Sequence, residues 1–385
     1  MRIQQTLEKY VPLISNMIIP AVIYAVSLML FLIKEPFEIQ TNIFLHYFFY
    51  FVSFAGLLIM LNFNINRHMF FMIGNLLCYV LINCLKREYG AVFRQSLWFD
   101  YLIILIPLNL ILIYLYGSFR FISSKSLRFI MIILFEYGIV ETLVKYNINI
   151  MVSVYDINII AFTLFFVFVA VFLIKSIKEN NLYNYTTLYS TISVISGICF
   201  SNTTTGMILF FAGAQFTMLI DLIFTLTYNY FYDETTGFYS RNSYLIKSKS
   251  FPFKYNLGII SIDNYDKLLT AFGYKKQRVL TNLIAEVVQD LTSEEVVFRY
   301  AADQFVILYK DKDNKEAYTH LDNIRRVIAG LSFSCSPKGQ PIKLTVSCSL
   351  AEKKRSDAGA IDVLVRADKA MQKTLKFSHN VTSRG

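Results

Sequence analysis

One acid, Asp303, sits between Ala301-Ala302 and Gln304-Phe305. It is flanked by Val296-Val297-Phe298-Arg299-Tyr300 and Val306-Ile307-Leu308-Tyr309. An apolar run, a short turn and a second apolar run make the pattern of a β-hairpin with a carboxylate at its tip. Such an acid is ordinary turn chemistry unless another carboxylate converges on it. A second set of acids, Glu136, Glu141, Asp156 and Asp221, lies within or beside long apolar runs. An ionisable group in hydrocarbon is costly, so each is a candidate functional residue, with Glu136 and Asp221 foremost. The plainer alternative is a hydrogen-bonded contact between helices or a place near an interface.

The elements that must position these groups follow from composition. Of 385 residues, 55% are hydrophobic and only 17% are charged. Soluble domains are nearer 25% charged, roughly. Residues 1–230 carry 13 Lys/Arg and 10 Asp/Glu, and residues 231–385 carry 24 and 17. The chain therefore divides into a membrane region, 1–230, and a soluble domain, 231–385, long enough for one core. A bilayer crossing takes about 20 mostly apolar residues. Candidates are 11–33, 42–61, 69–85, 101–116, 129–144, 151–174, 188–200 and 206–227, about eight spans. The seventh is short and rich in Ser and Thr, so seven or six spans are the alternatives. Eight spans put both termini on one side. That side's segments hold eight Lys/Arg against five opposite, a bias that places the ends in the cytoplasm. Residues 1–10 are polar and the apolar run after them is too long for a cleaved leader. Five Cys (78, 84, 199, 335, 348) form no CxxC pair, so neither zinc nor a disulfide framework is expected. The basic soluble part suits a domain beside an anionic leaflet. Phosphorylated ligands would also fit, but a solvated surface is the plainer reading, and no nucleic acid partner is expected.

In the soluble part, Ser240 or Asn242 can cap a helix, and Tyr265 to Gly273 is amphipathic. Val279, Leu280, Leu283, Ile284, Val287 and Val288 share one face of a helix over 278–291. Further helices are expected over 317–331 and 360–377, with a strand over 343–349. The order β-α-α-β-β-α-β-α describes helices packed on an antiparallel-rich sheet.

Six stretches in this order resemble the motifs of the GGDEF family, the diguanylate cyclase fold related to nucleotide cyclases. Asp233-Glu234-Thr235-Thr236-Gly237-Phe238-Tyr239-Ser240-Arg241 resembles the opening D-x-L-T-G-L-x-N-R. Ser261-Ile262-Asp263-Asn264-Tyr265 resembles D-I-D-x-F, and Arg299-Tyr300 with residues 301–305 resembles R-Y-G-G-D-E-F. Thr345-Val346-Ser347-Cys348-Ser349-Leu350-Ala351 resembles T-V-S-x-G-x-A. Ala367-Asp368-Lys369-Ala370-Met371 and Asn380-Val381 resemble the closing motifs. The resemblance implies a fold in which two GTP molecules, one on each subunit of a dimer, would be joined by metal-assisted attack on phosphorus.

Position by position, the chemistry the resemblance implies is altered. The first metal carboxylate falls at Ser261, while Asp263 keeps the second strand acid. Ala301 and Ala302 replace glycines that let the backbone approach nucleotide. Asp303 keeps the acid that the resemblance makes a metal ligand, Gln304 replaces a glutamate, and Phe305 ends the motif. By the same resemblance Asp303 and Asp263 could still hold one cation, weakly. The guanine-reading Asn and Asp fall at Leu269 and Arg278, so the base edge loses its polar partners. The triphosphate-gripping Lys and Arg fall at Leu375 and His379, and the inhibitory R-x-x-D falls on 292–295 and is missing. Arg278, Lys275, Lys276 and Arg299 offer a different anion site or ordinary surface charge. The expectation is a multi-pass protein of the bacterial inner membrane with a degenerate GGDEF domain in the cytoplasm. Its catalytic set would be empty. It would need no cofactor, with magnesium only for residual nucleotide binding. It would act as a regulatory or scaffold subunit through protein partners or as a homodimer, in cyclic-di-GMP signalling or exopolysaccharide production. The alternatives are a divergent cyclase using Asp303 and Asp263, and a membrane sensor or transport-like protein.

Overall fold

The computed structural model describes residues 2–33, 38–63, 66–116, 124–148, 153–154, 157–179, 182–201, 203–292, 294–310, 312–333 and 341–385. Asp156 and Cys335 lie outside them. Two compact units divide the chain, Met1–Phe224 and Thr225–Gly385. The division falls inside a helix, six residues before the composition boundary at 230/231.

The first unit is helical: α1 (Arg2–Ile33), α2 (Glu38–Phe63), α3 (Asn66–Tyr89), α4 (Leu97–Tyr116) and α5 (Ser124–Lys145). A two-stranded ribbon of β1 (Ser153–Val154) and β2 (Ile157–Asn158) follows, then α6 (Ile159–Glu179), α7 (Leu182–Cys199) and α8 (Thr204–Phe231). Seven of the expected spans fall on these helices; the sixth, 151–174, is helical only from Ile159, its earlier residues forming the ribbon or lying outside the described residues. Among the described residues, four stretches are long and apolar enough to cross a membrane: Asn16–Ile33, Asn42–Asn62, His68–Tyr89 and Thr205–Phe231. The count of eight is thus not met by length and apolarity alone. The charges Lys125, Arg128, Glu136, Glu141 and Lys145 on α5 and the hydroxyls of α7 explain part of the shortfall.

The polarity of this unit is turned inward. Helix α7, whose sequence makes it the weakest span, buries Thr186, Thr187, Ser190, Thr191 and Ser193. Meanwhile α2 leaves Phe44, Tyr47, Phe51 and Phe54 exposed. Each of these five hydroxyls finds an acceptor. Ser190 Oγ donates to the Ala214 carbonyl at 3.2 Å and Ser193 Oγ to that of Phe210 at 2.8 Å. Thr191 Oγ1 turns back to the Thr187 carbonyl at 2.7 Å. Gln215 Nε2 of α8 donates to Ser53 Oγ of α2 at 2.9 Å and to the Met72 carbonyl of α3 at 3.0 Å. Such side chains tie helices together where water is absent. Gly197 permits the α7–α8 approach, since a Cβ there would sit 2.7 Å from the Phe211 ring.

Asp221, one of the expected intramembrane acids, is a buried partner in this seam. His68 Nε2 lies 2.7 Å from Asp221 Oδ2, and Thr186 Oγ1 donates to the same oxygen at 2.9 Å. The imidazole stands edge-on to Tyr183 at 4.9 Å. The contact joins the start of α3, the start of α7 and the latter part of α8. Residues 68, 186 and 221 are far apart in sequence, and nothing in their local patterns pairs them. Replacing His68 by Ala leaves a buried carboxylate with one hydroxyl donor. We expect a loss of about 3 kcal/mol for His68→Ala, read as a lower denaturation midpoint of the full chain in SDS titration. Part of it should return in the double variant His68→Ala/Asp221→Ala.

The second unit continues with β3 (Tyr239–Ser240), α9 (Arg241–Lys247), β4 (Asn256–Ile262), α10 (Tyr265–Leu291), β5 (Val296–Ala301) and β6 (Gln304–Tyr309). Then come α11 (Asn314–Gly330), the small hairpin β7 (Ser332–Phe333) and β8 (Ile342–Lys343), β9 (Val346–Glu352), α12 (Ala360–Leu375) and β10 (Thr382–Arg384). The sheet order is β10-β9-β4-β6-β5-β3. Only the edge strands pair in parallel; the inner four are antiparallel.

Alternation along the strands feeds two cores. Ile260, Ile262, Phe305 and Ile307 pack with Ile284 and Val288 of α10 and Leu321 and Ile324 of α11. Leu257, Ile259, Phe298, Val306 and Leu308 pack with Tyr244 of α9 and Val363, Leu364 and Met371 of α12. Ser240 caps α9 by accepting from the Ser243 amide, as its position indicates. The two helical patterns before and after Gly273 are two helices meeting at that residue. Its φ of 72° and ψ of 164° interrupt α10, a conformation close to glycine-only. The third helix starts at Asn314, three residues ahead of its apolar pattern, because Asp313 and Glu316 form a capping box.

Candidate functional site

The end of β4 meets the β5–β6 turn because the strands pair antiparallel, with Ile260 opposite Phe305 and Ser261 opposite Gln304. The turn itself is only Ala302-Asp303. Ala301 and Gln304 therefore belong to the strands, and Phe305 is a fully buried core residue. Placing Phe305 among pocket positions is corrected on that ground: it points into the core that α10 and α11 cover. The opening loop packs on it, with the Phe238 ring edge-on to Phe305 at 5.8 Å. That loop closes through Asp233 Oδ2, which accepts from the amide and hydroxyl of Thr236 at 2.9 and 2.8 Å. Gly237 takes the positive φ, 72°, that the turn needs.

The two candidate carboxylates have different surroundings. Asp303 Oδ2 accepts from Ser261 Oγ at 3.2 Å, and the Asp303 carbonyl accepts from the Ile262 amide at 2.8 Å. Asp263 is buried and surrounded by donors. Its Oδ2 accepts from Thr345 Oγ1 at 2.7 Å and the Asn380 amide at 2.9 Å, and its Oδ1 from Ser347 Oγ at 2.7 Å. His379 Nδ1 stands 3.5 Å from Oδ1. Three donors thus occupy lone-pair directions of the carboxylate, with the imidazole nearby. Asn264 follows in the left-handed region, φ 54°, and turns the chain into α10.

A concavity of about 460 Å³ opens beside this cluster, lined by Ser261, Asp263, Asn264, Tyr265, Asp266, Lys267, Ala302, Asp303, Leu375 and His379, with the Ile262 backbone between. Six of the expected positions thus come together: Ser261, Asp263, Ala302, Asp303, Leu375 and His379. Leu269 and Arg278 do not line it; Arg278 lies beyond the Gly273 break in α10, and Leu269 lies ahead of it. Asp266 and Lys267 had no motif to mark them; their only signal was nearness in sequence to Asp263. Magnesium wants near-octahedral oxygen ligation. The concavity offers it the Asp303 and Asp266 carboxylates and the Ser261 hydroxyl, with Asp263 already engaged. Among the described residues no three His, Cys, Asp or Glu are grouped to hold a metal. The residues present do not fit the two-ion clamp of phosphoryl transfer.

The alternative anion set divides. Arg299 is buried, donates to the Ala302 carbonyl, and lies over the Phe305 ring at 4.4 Å. Burial lowers its pKa, against the opposing pull of the Asp233 and Asp303 carboxylates. It clips the hairpin turn. Arg278 and Lys275 line a second concavity with Thr235 and Asn282, and Arg278 faces Glu234 at 3.4 Å. At the inhibitory-motif position Glu295 pairs with Lys312, and Ser293 lies outside the described residues.

The closing motif is held from α11. Arg325 Nη1 donates to the Asn380 side chain at 2.8 Å and its carbonyl at 3.0 Å, and Thr382 Oγ1 donates to Asp322 Oδ1 at 2.8 Å. Burial alone would raise the Asp322 pKa. Hydrogen bonds from Arg325 and Thr382, with the charges of Arg325 and Arg326, outweigh it and hold the carboxyl below its ordinary range.

The six-stranded sheet with helices packed against it, and the β5–β6 turn meeting the end of β4, make an α/β domain of the kind the sequence resemblance implies. Residues 231–380 match the family model described as "Diguanylate cyclase, GGDEF domain". This part of the chain is a GGDEF domain. It is 26% identical over 116 residues to diguanylate cyclase DgcP of Pseudomonas aeruginosa, covering 30% of this chain and 17% of DgcP. The chain thus spans about a sixth of that relative's length. Among solved structures it resembles the GGDEF domain of DgcB from Caulobacter crescentus in complex with c-di-GMP, at 17% identity and TM-score 0.37, over 40% of this chain and 92% of that one. It also resembles the FimX GGDEF domain from Pseudomonas aeruginosa, at 20% identity and TM-score 0.37, over 40% and 99%.

Two outcomes follow from this geometry. Asp263→Asn turns an acceptor into a partial donor facing Thr345 and Asn380, and we expect it to cost about 1–3 kcal/mol. Asp303→Asn should stay within about 0.5 kcal/mol of the parent; urea denaturation followed by circular dichroism separates them. Asp322, whose pKa is lower in the folded state, contributes stability that is present above its unfolded value near about 4. That stability is lost as the pH falls through the native value. The urea midpoints of the parent and Asp322→Asn should therefore differ at neutral pH and converge in acid.

Proposed function

We propose that this chain is a multi-pass membrane protein whose GGDEF domain works without cyclase chemistry. In this reading the domain is a regulatory or scaffold subunit in cyclic-di-GMP signalling or exopolysaccharide production. One observation carries it: Ser261 stands where the resemblance requires a metal carboxylate, and its hydroxyl is hydrogen-bonded to Asp303. The Ala301 and Ala302 methyls, the apolar Leu375 and the donor-filled Asp263 support it. Substitutions in a concerted site do not simply multiply, but here metal, phosphate and base contacts are all altered together. The four long apolar helices, and four more at the expected places, support a bundle of eight spans with both ends in the cytoplasm of a bacterium. The partners would be proteins docking on the GGDEF domain, or a second copy of the chain.

The divergent-cyclase reading keeps one observation in its favour, the carboxylates of Asp303 and Asp266 on one concavity. Calorimetry of the full-length chain in detergent micelles separates the two. GTP, ATP and cyclic di-GMP, each with magnesium, should give no binding heat at micromolar concentrations. Micromolar binding of any of them sinks the scaffold reading, and metal-dependent nucleotide turnover lost in Asp303→Ala would establish the cyclase.

A further inference from the structure

Between Glu234 and Asp263 the chain carries four cations, Arg241, Lys247, Lys249 and Lys254, and no acid. Its apolar residues divide between two sides. Tyr244 is buried against Phe298 and Phe251, with ring centroids at 5.3 and 5.9 Å. On the other side of α9 and the turn Ser248–Ser250 after it, Asn242, Leu245, Ile246 and Lys249 recur at helical spacing, and all four are exposed. Phe253 is wholly exposed, between exposed Pro252 and Lys254.

Two of the cations are engaged within the domain. Arg241 lies over the Tyr300 ring at 5.0 Å and Lys247 over that of Tyr239 at 3.2 Å. Lys249 and Lys254 are exposed, and among the described residues neither stands in an ion pair. The Lys353 amide donates to the Tyr255 carbonyl at 3.0 Å, which brings a second basic loop, with exposed Lys354 and Arg355, to the residue after Lys254. The acids of that loop turn to local donors. Asp357 Oδ2 accepts from the Lys354 amide and from Arg366, both at 2.7 Å, and Asp362 Oδ2 from the Ala358 and Gly359 amides at 2.7 and 3.2 Å.

What this surface lies near is set by α8. The apolar stretch Thr205–Phe231 has 27 residues, about 40 Å of helix at about 1.5 Å each. The hydrocarbon layer is only about 30 Å thick, so the last turns emerge at the headgroups. Exposed Tyr228 and Tyr230 there match the aromatic belt common at that depth. The start of α9 is bonded to the same helix end. Ser240 Oγ donates to the Tyr230 carbonyl and Ser243 Oγ to that of Phe231, both at 2.5 Å. Leu245 and Ile246 follow in the second turn of α9.

We propose that α9 and the loop 251–254 form a docking surface for the anionic headgroups of the membrane the chain spans. Leu245, Ile246 and Phe253 enter the boundary between headgroups and acyl chains, while Lys249 and Lys254 meet lipid phosphates. A wholly exposed phenylalanine beside lysines is costly in water and ordinary at such a boundary. A domain held at two points, the end of α8 and this surface, keeps a fixed attitude to the leaflet. The inference rests on α8 crossing the bilayer, part of the multi-pass reading, and stands whether or not the domain turns over nucleotide.

The test uses the full-length chain carrying Phe253→Trp, in nanodiscs of phosphatidylglycerol or of phosphatidylcholine, each with and without acyl chains brominated near the headgroup. The parent, whose one tryptophan is Trp98, is the blank. In phosphatidylglycerol the added emission should be blue-shifted and quenched by bromine. Adding Lys249→Glu/Lys254→Glu should remove most of that quenching. Loss of the two charges alone lowers the ratio of docked to free domain about 25-fold, about fivefold for each. Phosphatidylcholine should weaken the quenching likewise. All three side chains are exposed, so the variants leave both cores of the domain untouched. The proposal is overturned by added emission that bromine does not quench, including the blue-shifted emission that a protein partner or a second copy covering Phe253 would give. It is overturned equally by quenching unmoved by the charge reversal or by the change of lipid. Release of the chain from membranes by alkaline carbonate overturns the multi-pass reading and this inference with it. Retention in carbonate without quenching overturns this inference alone.

Discussion

A carboxylate taken out of water must be met by donors, and both units of this chain are organised around that constraint. In the GGDEF domain the carboxylate is Asp263. Its donors come from the start of β9 and its approach, Thr345 and Ser347, and from the closing segment, the Asn380 amide. Three stretches of chain are thereby held at the end of the central strand. Arg325 grips the closing segment from the other side through Asn380. In the helical unit the acids are Asp221, met by His68 and Thr186, and Glu136, met by Asn109. An unmet buried charge costs several kcal/mol, so each of these contacts constrains which helices or strands lie side by side.

The same constraint explains what the sequence made legible. The strands β4, β5 and β6 follow from alternation and from the β-branched and aromatic residues around Ala302-Asp303. The two halves of α10 follow from helical periodicity on each side of Gly273. The capping box at Asp313 and Glu316 was written in the sequence as an acid three residues ahead of a glutamate. What periodicity does not carry is the identity of a distant donor. Thr345, Ser347 and Asn380 lie 82, 84 and 117 residues from Asp263. Each reads locally as an ordinary strand or turn residue. Asp263 looked like a metal ligand because its donors could not be seen.

Helix α7 shows the converse. Its sequence makes it the weakest span, being short and rich in Ser and Thr, yet twelve of its 18 residues are buried. Hydropathy measures preference for lipid. A helix enclosed by other helices answers instead to the hydrogen-bonding needs of its neighbours, here the Ala214 and Phe210 carbonyls. Outward-facing Phe44, Phe51 and Phe54 on α2 complete the pattern. Polar groups turned in and large apolar groups turned out make sense where the surroundings are hydrocarbon and not water.

Ser261 bears on the chemistry by the same reasoning. Two ionised carboxylates facing each other across a few ångströms repel, and one of them takes up a proton unless a cation intervenes. A site built on such a pair is incomplete without its metal. With Ser261 opposite Asp303 the repulsion is gone, and the hydroxyl supplies a donor in its place. Asp263, one residue beyond Ile262, is likewise satisfied by protein groups. Asp263 thus spends its acceptors on protein donors, while Asp303 keeps a single hydroxyl donor and opens onto the concavity. The two readings of the site part at that one carboxylate, which either stays with Ser261 or takes up a cation, and the difference rests on the oxygen atoms of residues 261, 263 and 303.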